Sequence, residues 1–71
     1  MPKIPRGKLF VKFLVKRGFE IVRQRGSHVI LKGFGQRLVV PVHGGEELKL
    51  GLFKSILKDI GLSDEEFWNQ F

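Results

Sequence analysis

Seventy-one residues without a cysteine, carrying a net charge of +6, set narrow bounds on this chain. A single domain over residues 1–71 is expected, burying only about 60% of the surface its unfolded chain exposes. The missing thiols exclude a disulfide framework, a thiolate metal site and a cysteine nucleophile, and no apolar run approaches the roughly 20 residues of a membrane helix.

The charge is segregated along the chain. Residues 1–45 hold ten Lys or Arg against one acid, Glu20, whereas residues 46–71 hold Lys49, Lys54 and Lys58 against six acids. A concentrated positive field attracts polyanions and speeds their encounter, nucleic acid being the commonest such partner. The same asymmetry also serves a solvated, soluble surface. The opening Met1-Pro2-Lys3-Ile4-Pro5-Arg6 has no apolar stretch of leader length behind it, so the expected location is cytoplasmic.

Leu9, Phe10, Phe13 and Leu14 recur at helical spacing with Lys8, Lys12 and Lys16 opposite, which predicts a helix from about Gly7 to Arg17, stopped by Gly18. From Phe19 the period becomes two. Phe19, Ile21, Arg23 and Arg25 are expected on one face of a strand, with Glu20, Val22 and Gln24 on the other. Gly26-Ser27 suits a tight hairpin turn. A second strand is predicted from about His28 to Lys32, with His28, Ile30 and Lys32 sharing a face. After the turn at Gly33-Phe34-Gly35, a third strand over Arg37–Val42 puts Leu38, Val40 and Val42 on one side. Pro41 has no amide to donate, so this strand belongs at an edge or carries a bulge.

Beyond a loop at His43-Gly44-Gly45-Glu46-Glu47, Leu52, Phe53, Ile56, Leu57 and Ile60 return to helical spacing, ended by Gly61. Ser63-Asp64-Glu65-Glu66 reads as a capping box opening a short last helix. Its Phe67, Trp68 and Phe71 are expected to pack as core or lid rather than to stack bases, since they lie in the acidic half. The order helix, three-stranded antiparallel meander, helix, short helix defines an α+β fold whose helices must cover one sheet face.

Chemistry centres on His28, in Arg25-Gly26-Ser27-His28. Gly26 and Ser27 let a substrate backbone approach and offer amide or hydroxyl donors, and the preceding strand brings Arg23 and Arg25 to the same corner. An imidazole so placed suits general acid–base work on a phosphodiester; a surface histidine in a turn is the plain alternative. His43 reads either as a second acid–base group or as a loop residue bonded to backbone, the latter being favoured. The acids gather far from His28, and two histidines without cysteine make a poor zinc set, so no metal is expected. The glycine spacings match neither a P-loop nor a dinucleotide fingerprint. Ser27 beside His28 makes no triad, because neighbours on a strand point to opposite faces.

Taken together, Gly18-Phe19, Arg25-Gly26-Ser27-His28, Val40-Pro41-Val42-His43, Lys49-Leu50-Gly51, Ile56-Leu57-Lys58 and Gly61-Leu62-Ser63 resemble the pattern of the HicA toxins, over roughly residues 7 to 63. That resemblance implies a fold similar to double-stranded RNA-binding domains. It implies cleavage of messenger RNA; joined to the poor metal set and short apolar runs above, the expectation is a metal-independent endoribonuclease with no small-molecule cofactor and no membrane association. The catalytic role falls on His28, with Gly26 and Ser27 shaping its turn, and the implied partner is a HicB-like antitoxin that covers the histidine. Arg23, Arg25 and Lys32 are then expected to hold the RNA phosphate. One departure from the family pattern is Leu52-Phe53-Lys54 after Gly51, which lacks the hydroxyl the family often has at the helix start. The rival expectations are a non-catalytic RNA-binding module on the same fold and a pure protein-interaction domain.

Overall fold

The computed structural model describes residues 3–71; Met1 and Pro2, with their part in the reading of the N-terminal segment, lie outside the described residues. The elements run α1 (Gly7–Lys16), β1 (Glu20–Arg25), β2 (His28–Gly33), β3 (Gln36–Pro41), α2 (Leu50–Ile60) and α3 (Asp64–Gln70). This is the α+β arrangement expected, of the double-stranded-RNA-binding-domain kind. The strands form one antiparallel sheet in the order β1-β2-β3. β3 therefore lies at an edge, where Pro41 leaves no ladder bond unmade.

The two apolar helix stripes and one sheet face close on a common core. Phe10, Phe13 and Leu14 of α1, Phe53, Ile56 and Leu57 of α2, and Phe67 of α3 pack on Val29, Leu31, Leu38 and Val40. Both long helices stop in the same way. Phe19 N–H donates to the Leu14 carbonyl and Gly18 N–H to that of Val15; Leu62 and Gly61 repeat the pattern on Leu57 and Lys58. Such endings need a left-handed residue, supplied by Gly18 and Gly61 at φ of 111° and 75°. The N-termini differ. No side chain among the described residues caps α2 at Lys49, and the helix opens at Leu50, so the position of the missing hydroxyl, Leu52, lies inside its first turn. At α1, the Gly7 amide reaches the Glu46 carbonyl at 3.3 Å, which pins the 43–49 loop against the first helix. A side chain on Gly7 would meet the Pro41 carbonyl oxygen at 2.4 Å, so this approach requires glycine.

Two turns set the register of the meander. Gly26 has φ of 57° and opens a two-residue hairpin, pairing Arg25 with His28. Phe34 and Gly35 both have positive φ, 51° and 74°, the backbone of a type I′ turn. That turn brings Gly33 and Gln36 into direct pairing, so β2 and β3 each begin or end one residue nearer the turn than the alternation predicts. Phe34 is 74% exposed but sets its ring edge-on to Phe19 at 5.3 Å.

One expectation needs correction. Phe19, Ile21, Arg23 and Arg25 do not share a face. The pairing passes from Ile21↔Leu31 to Arg23↔Ile30, leaving Val22 as the extra residue of a bulge. The bulge shifts the phase: Ile21 lies on the Leu31 side with the core, while Arg23 and Arg25 lie opposite, with Ile30 and His28. A uniform period of two would have turned Ile21 to the same side as the arginines.

At the last helix the capping box forms in full. Glu66 N–H donates to Ser63 Oγ at 3.1 Å, and Ser63 N–H donates to Glu66 Oε1 at 2.9 Å. Lys54 also pairs with Asp64 in its first turn. The Ser63 N–H, aided by the Ser63 hydroxyl and the charge of Arg17, holds the Glu66 carboxyl below its ordinary value of 4.5. A lowered acid stabilises the fold above its ordinary range and ceases to do so as pH falls through the folded value. Replacing Ser63 by Ala removes the hydroxyl that caps α3 and should cost about 1 kcal/mol in chemical denaturation. The stability difference between wild type and Glu66→Gln should shrink on acidification below pH 4.5.

Candidate active site

Because all three helices take one face of the sheet, the other is left open among the described residues. Register fixes what this face presents: Glu20, Arg23 and Arg25 from β1, His28, Ile30 and Lys32 from β2, and Arg37, Val39 and Pro41 from β3. Ile30 is 8% exposed yet lies outside the core cluster. Its direct cross-strand neighbours are Arg23 and Val39, and a long arginine stem is suited to cover apolar surface while its charged head stays in water. The result is a small apolar centre ringed by cations.

His28 stands at the end of this face where the β1–β2 turn closes, and it is exposed. Arg25 is directly across from it on β1 and Pro41 on β3. Arg23 is the next residue along β1 on the same side. Lys32 shares the face but lies four residues up the strand, about 13 Å at a strand's rise. It adds positive charge to the far end of the same face. Gly26 supplies the left-handed turn position, and the Ser27 carbonyl accepts the amide of Val42, extending the β2–β3 ladder past Pro41.

One member of this surface was not singled out from the sequence, and the partner of another was not foreseen. Arg37 pairs with Lys32 and adds a cation; the alternation Arg37, Val39, Pro41 carried that signal. The second is the setting of His43. Its Nε2 lies 3.3 Å from Ser27 Oγ, so the ring is held by a side chain of the hairpin turn rather than by backbone. This contact joins residues 16 positions apart and has no local signature. His43 also borders a cleft of about 150 Å³ shared with Pro41, Glu46, Glu47 and Lys49. Phe67 is fully buried, Trp68 half-buried and Phe71 exposed at its rim, which makes the last helix part of the core, as expected.

Among the described residues, no three His, Asp or Glu side chains come together as a metal site would require. No helix among them is long and apolar enough to cross a membrane.

An exposed imidazole on the cationic open face of a helix-backed, three-stranded meander defines a small α+β domain of the double-stranded-RNA-binding-domain kind. Residues 7–62 match the family described as the HicA toxin of bacterial toxin-antitoxin. Over 55 residues the chain is 40% identical to a protein of Pseudomonas fluorescens (strain Pf0-1) named "Probable mRNA interferase HicA", covering 78% of this chain and 92% of that protein. The chain belongs to the HicA toxin family.

Proposed function

We propose that this protein is an endoribonuclease toxin that cleaves messenger RNA, with His28 as its general acid–base group, and that a HicB-like antitoxin neutralises it. The supporting observation is the placement of His28: solvent-exposed, across from Arg25, at the rim of a sheet face crowded with cations. A core position for that ring, or one on the helix-covered side, would have been incompatible with this reading. The name of the Pseudomonas relative supports the same activity.

A ribose 2′-hydroxyl attacks the adjacent phosphate while His28 exchanges a proton with it. Arg25 and Arg23 lie where they hold the phosphate and offset its growing negative charge. The chemistry needs no metal. An antitoxin seated on the open face would cover Ile30 and Val39 together with His28, shutting the site by occupying the one broad surface the helices leave bare among the described residues.

The test is incubation of pure protein with labelled RNA, in the presence and absence of a strong chelator, followed by a denaturing gel. Cleavage that survives chelation is expected. Intact RNA with a shifted band on a native gel would mark a non-catalytic RNA-binding module instead. Arg25→Ala should weaken RNA binding and flatten its salt dependence by roughly 0.7 log unit per tenfold change in salt, the loss of one single-strand phosphate contact. Titration of binding against salt for both proteins reads this directly.

A further inference from the structure

We propose that His43 is a second catalytic residue, forming with His28 a two-imidazole site that divides the proton transfers of RNA cleavage. The proposal rests on the nuclease reading above. Its starting point is Ser27, in the hairpin turn: His28 follows it in the chain, and His43 Nε2 lies 3.3 Å from its hydroxyl.

The ladder explains how the chain brings this about. His28 pairs with Pro41, and the Val42 amide bonded to the Ser27 carbonyl carries the pairing one residue further. Val42 packs toward the core, whereas His43 lines a cleft together with Pro41, the residue that pairs with His28. Residues diagonal across an antiparallel pair have Cα atoms roughly 7–8 Å apart, within reach of one another's long or aromatic side chains. A phosphodiester bound at the turn would thus have an imidazole on either side. The Ser27 hydroxyl fixes the orientation of one ring, as a partner group does wherever a histidine must present a chosen nitrogen.

Cleavage by the 2′-oxygen requires two proton movements at two separate atoms. The 2′-hydroxyl gives up its proton as its oxygen bonds to phosphorus. The phosphorus–5′-oxygen bond breaks, and the departing 5′-oxygen must gain a proton. One neutral imidazole accepts the first proton and one imidazolium supplies the second. The products are a 2′,3′-cyclic phosphate and a 5′-hydroxyl, and no water is consumed. With a single histidine, one ring would have to serve both atoms, which lie on opposite sides of the phosphorus.

The experiment uses the full chain and an RNA whose cleavage site has first been mapped with wild-type protein. A second RNA carries sulfur in place of the bridging 5′-oxygen at that site. A thiolate leaves without needing a proton, its conjugate acid having a pKa of about 8.5 in cysteine. On ordinary RNA, His43→Ala is expected to cut about 10²-fold or more below wild type, within the range of acid–base catalysis. On the sulfur substrate, one of His28→Ala and His43→Ala should recover most of the lost rate and the other should not. His43→Gln, which keeps a polar partner for Ser27, should be as slow as His43→Ala on ordinary RNA; it also serves if the alanine variant does not fold.

His43→Gln cutting at the wild-type rate would reduce His43 to a positioning role and overturn the proposal. So would recovery by both alanine variants, or by neither. A wild-type protein that leaves RNA intact would overturn the nuclease reading itself, and this inference with it.

Discussion

His28→Ala should slow RNA cleavage by about 10²–10⁴-fold, the contribution typical of a group that moves a proton in the transition state, while leaving the melting temperature almost where it was. The second half of that expectation comes from the fold. His28 is exposed at the first position of β2, and its removal opens no cavity among the core side chains. Surface substitutions of this kind usually change stability by about 0.5 kcal/mol or less. Single-turnover cleavage and a thermal melt on the same preparation separate the two effects. Loss of activity without loss of structure identifies chemistry at position 28; wild-type cleavage by the alanine variant removes His28 from the mechanism. Binding should survive, since Arg23, Arg25, Lys32 and Arg37 all remain on the face.

Phe67→Ala carries the largest expected effect on stability. The ring is completely buried and meets Phe13 edge-on at 4.6 Å and Phe53 at 5.1 Å, with Phe10 at 5.5 Å. It is the buried residue through which α3 joins the packing of α1 and α2. Truncating a buried phenylalanine costs about 3–5 kcal/mol. A 71-residue domain has only about 4–11 kcal/mol in total. The variant should therefore melt far below wild type and expose apolar surface at ambient temperature. Phe71→Ala, at the exposed end of the same helix, should cost much less. Equal losses from the two would mean that α3 docks as a unit rather than through Phe67.

Much of the architecture could be read from periodicity, because the elements with clear amphipathic patterns meet the core as their patterns require. Helices α1 and α2 start and stop within a residue or two of the expected positions, and Ser63 and Glu66 form the box their spacing announces. What escaped the sequence were departures from periodicity and contacts between distant segments. The bulge at Val22 is invisible to an alternation count, since Ile21 and Val22 are both apolar and either can be assigned inward. His28 was legible as a candidate because its turn, its strand and its cationic neighbours are contiguous in the chain. The setting of His43 was not, because the side chain that holds it belongs to a turn in another hairpin. A histidine's partner is set by register, and register depends on turn geometry at Phe34-Gly35 that composition does not reveal.

The extra residue in β1 bears on self-association as well as on which side chains share a face. β1 is an outer strand, exposed along its whole length, and a flat row of free amides and carbonyls there would template a neighbouring copy. The kink at Val22 bends this rim, and Glu20, Arg23 and Arg25 add charge to it. Deleting Val22 would preserve the pairs on either side, Ile21 with Leu31 and Arg23 with Ile30, and so leave the monomer's fold intact. The straightened rim should instead make the protein form oligomers and precipitate as its concentration rises, which light scattering across a dilution series would detect.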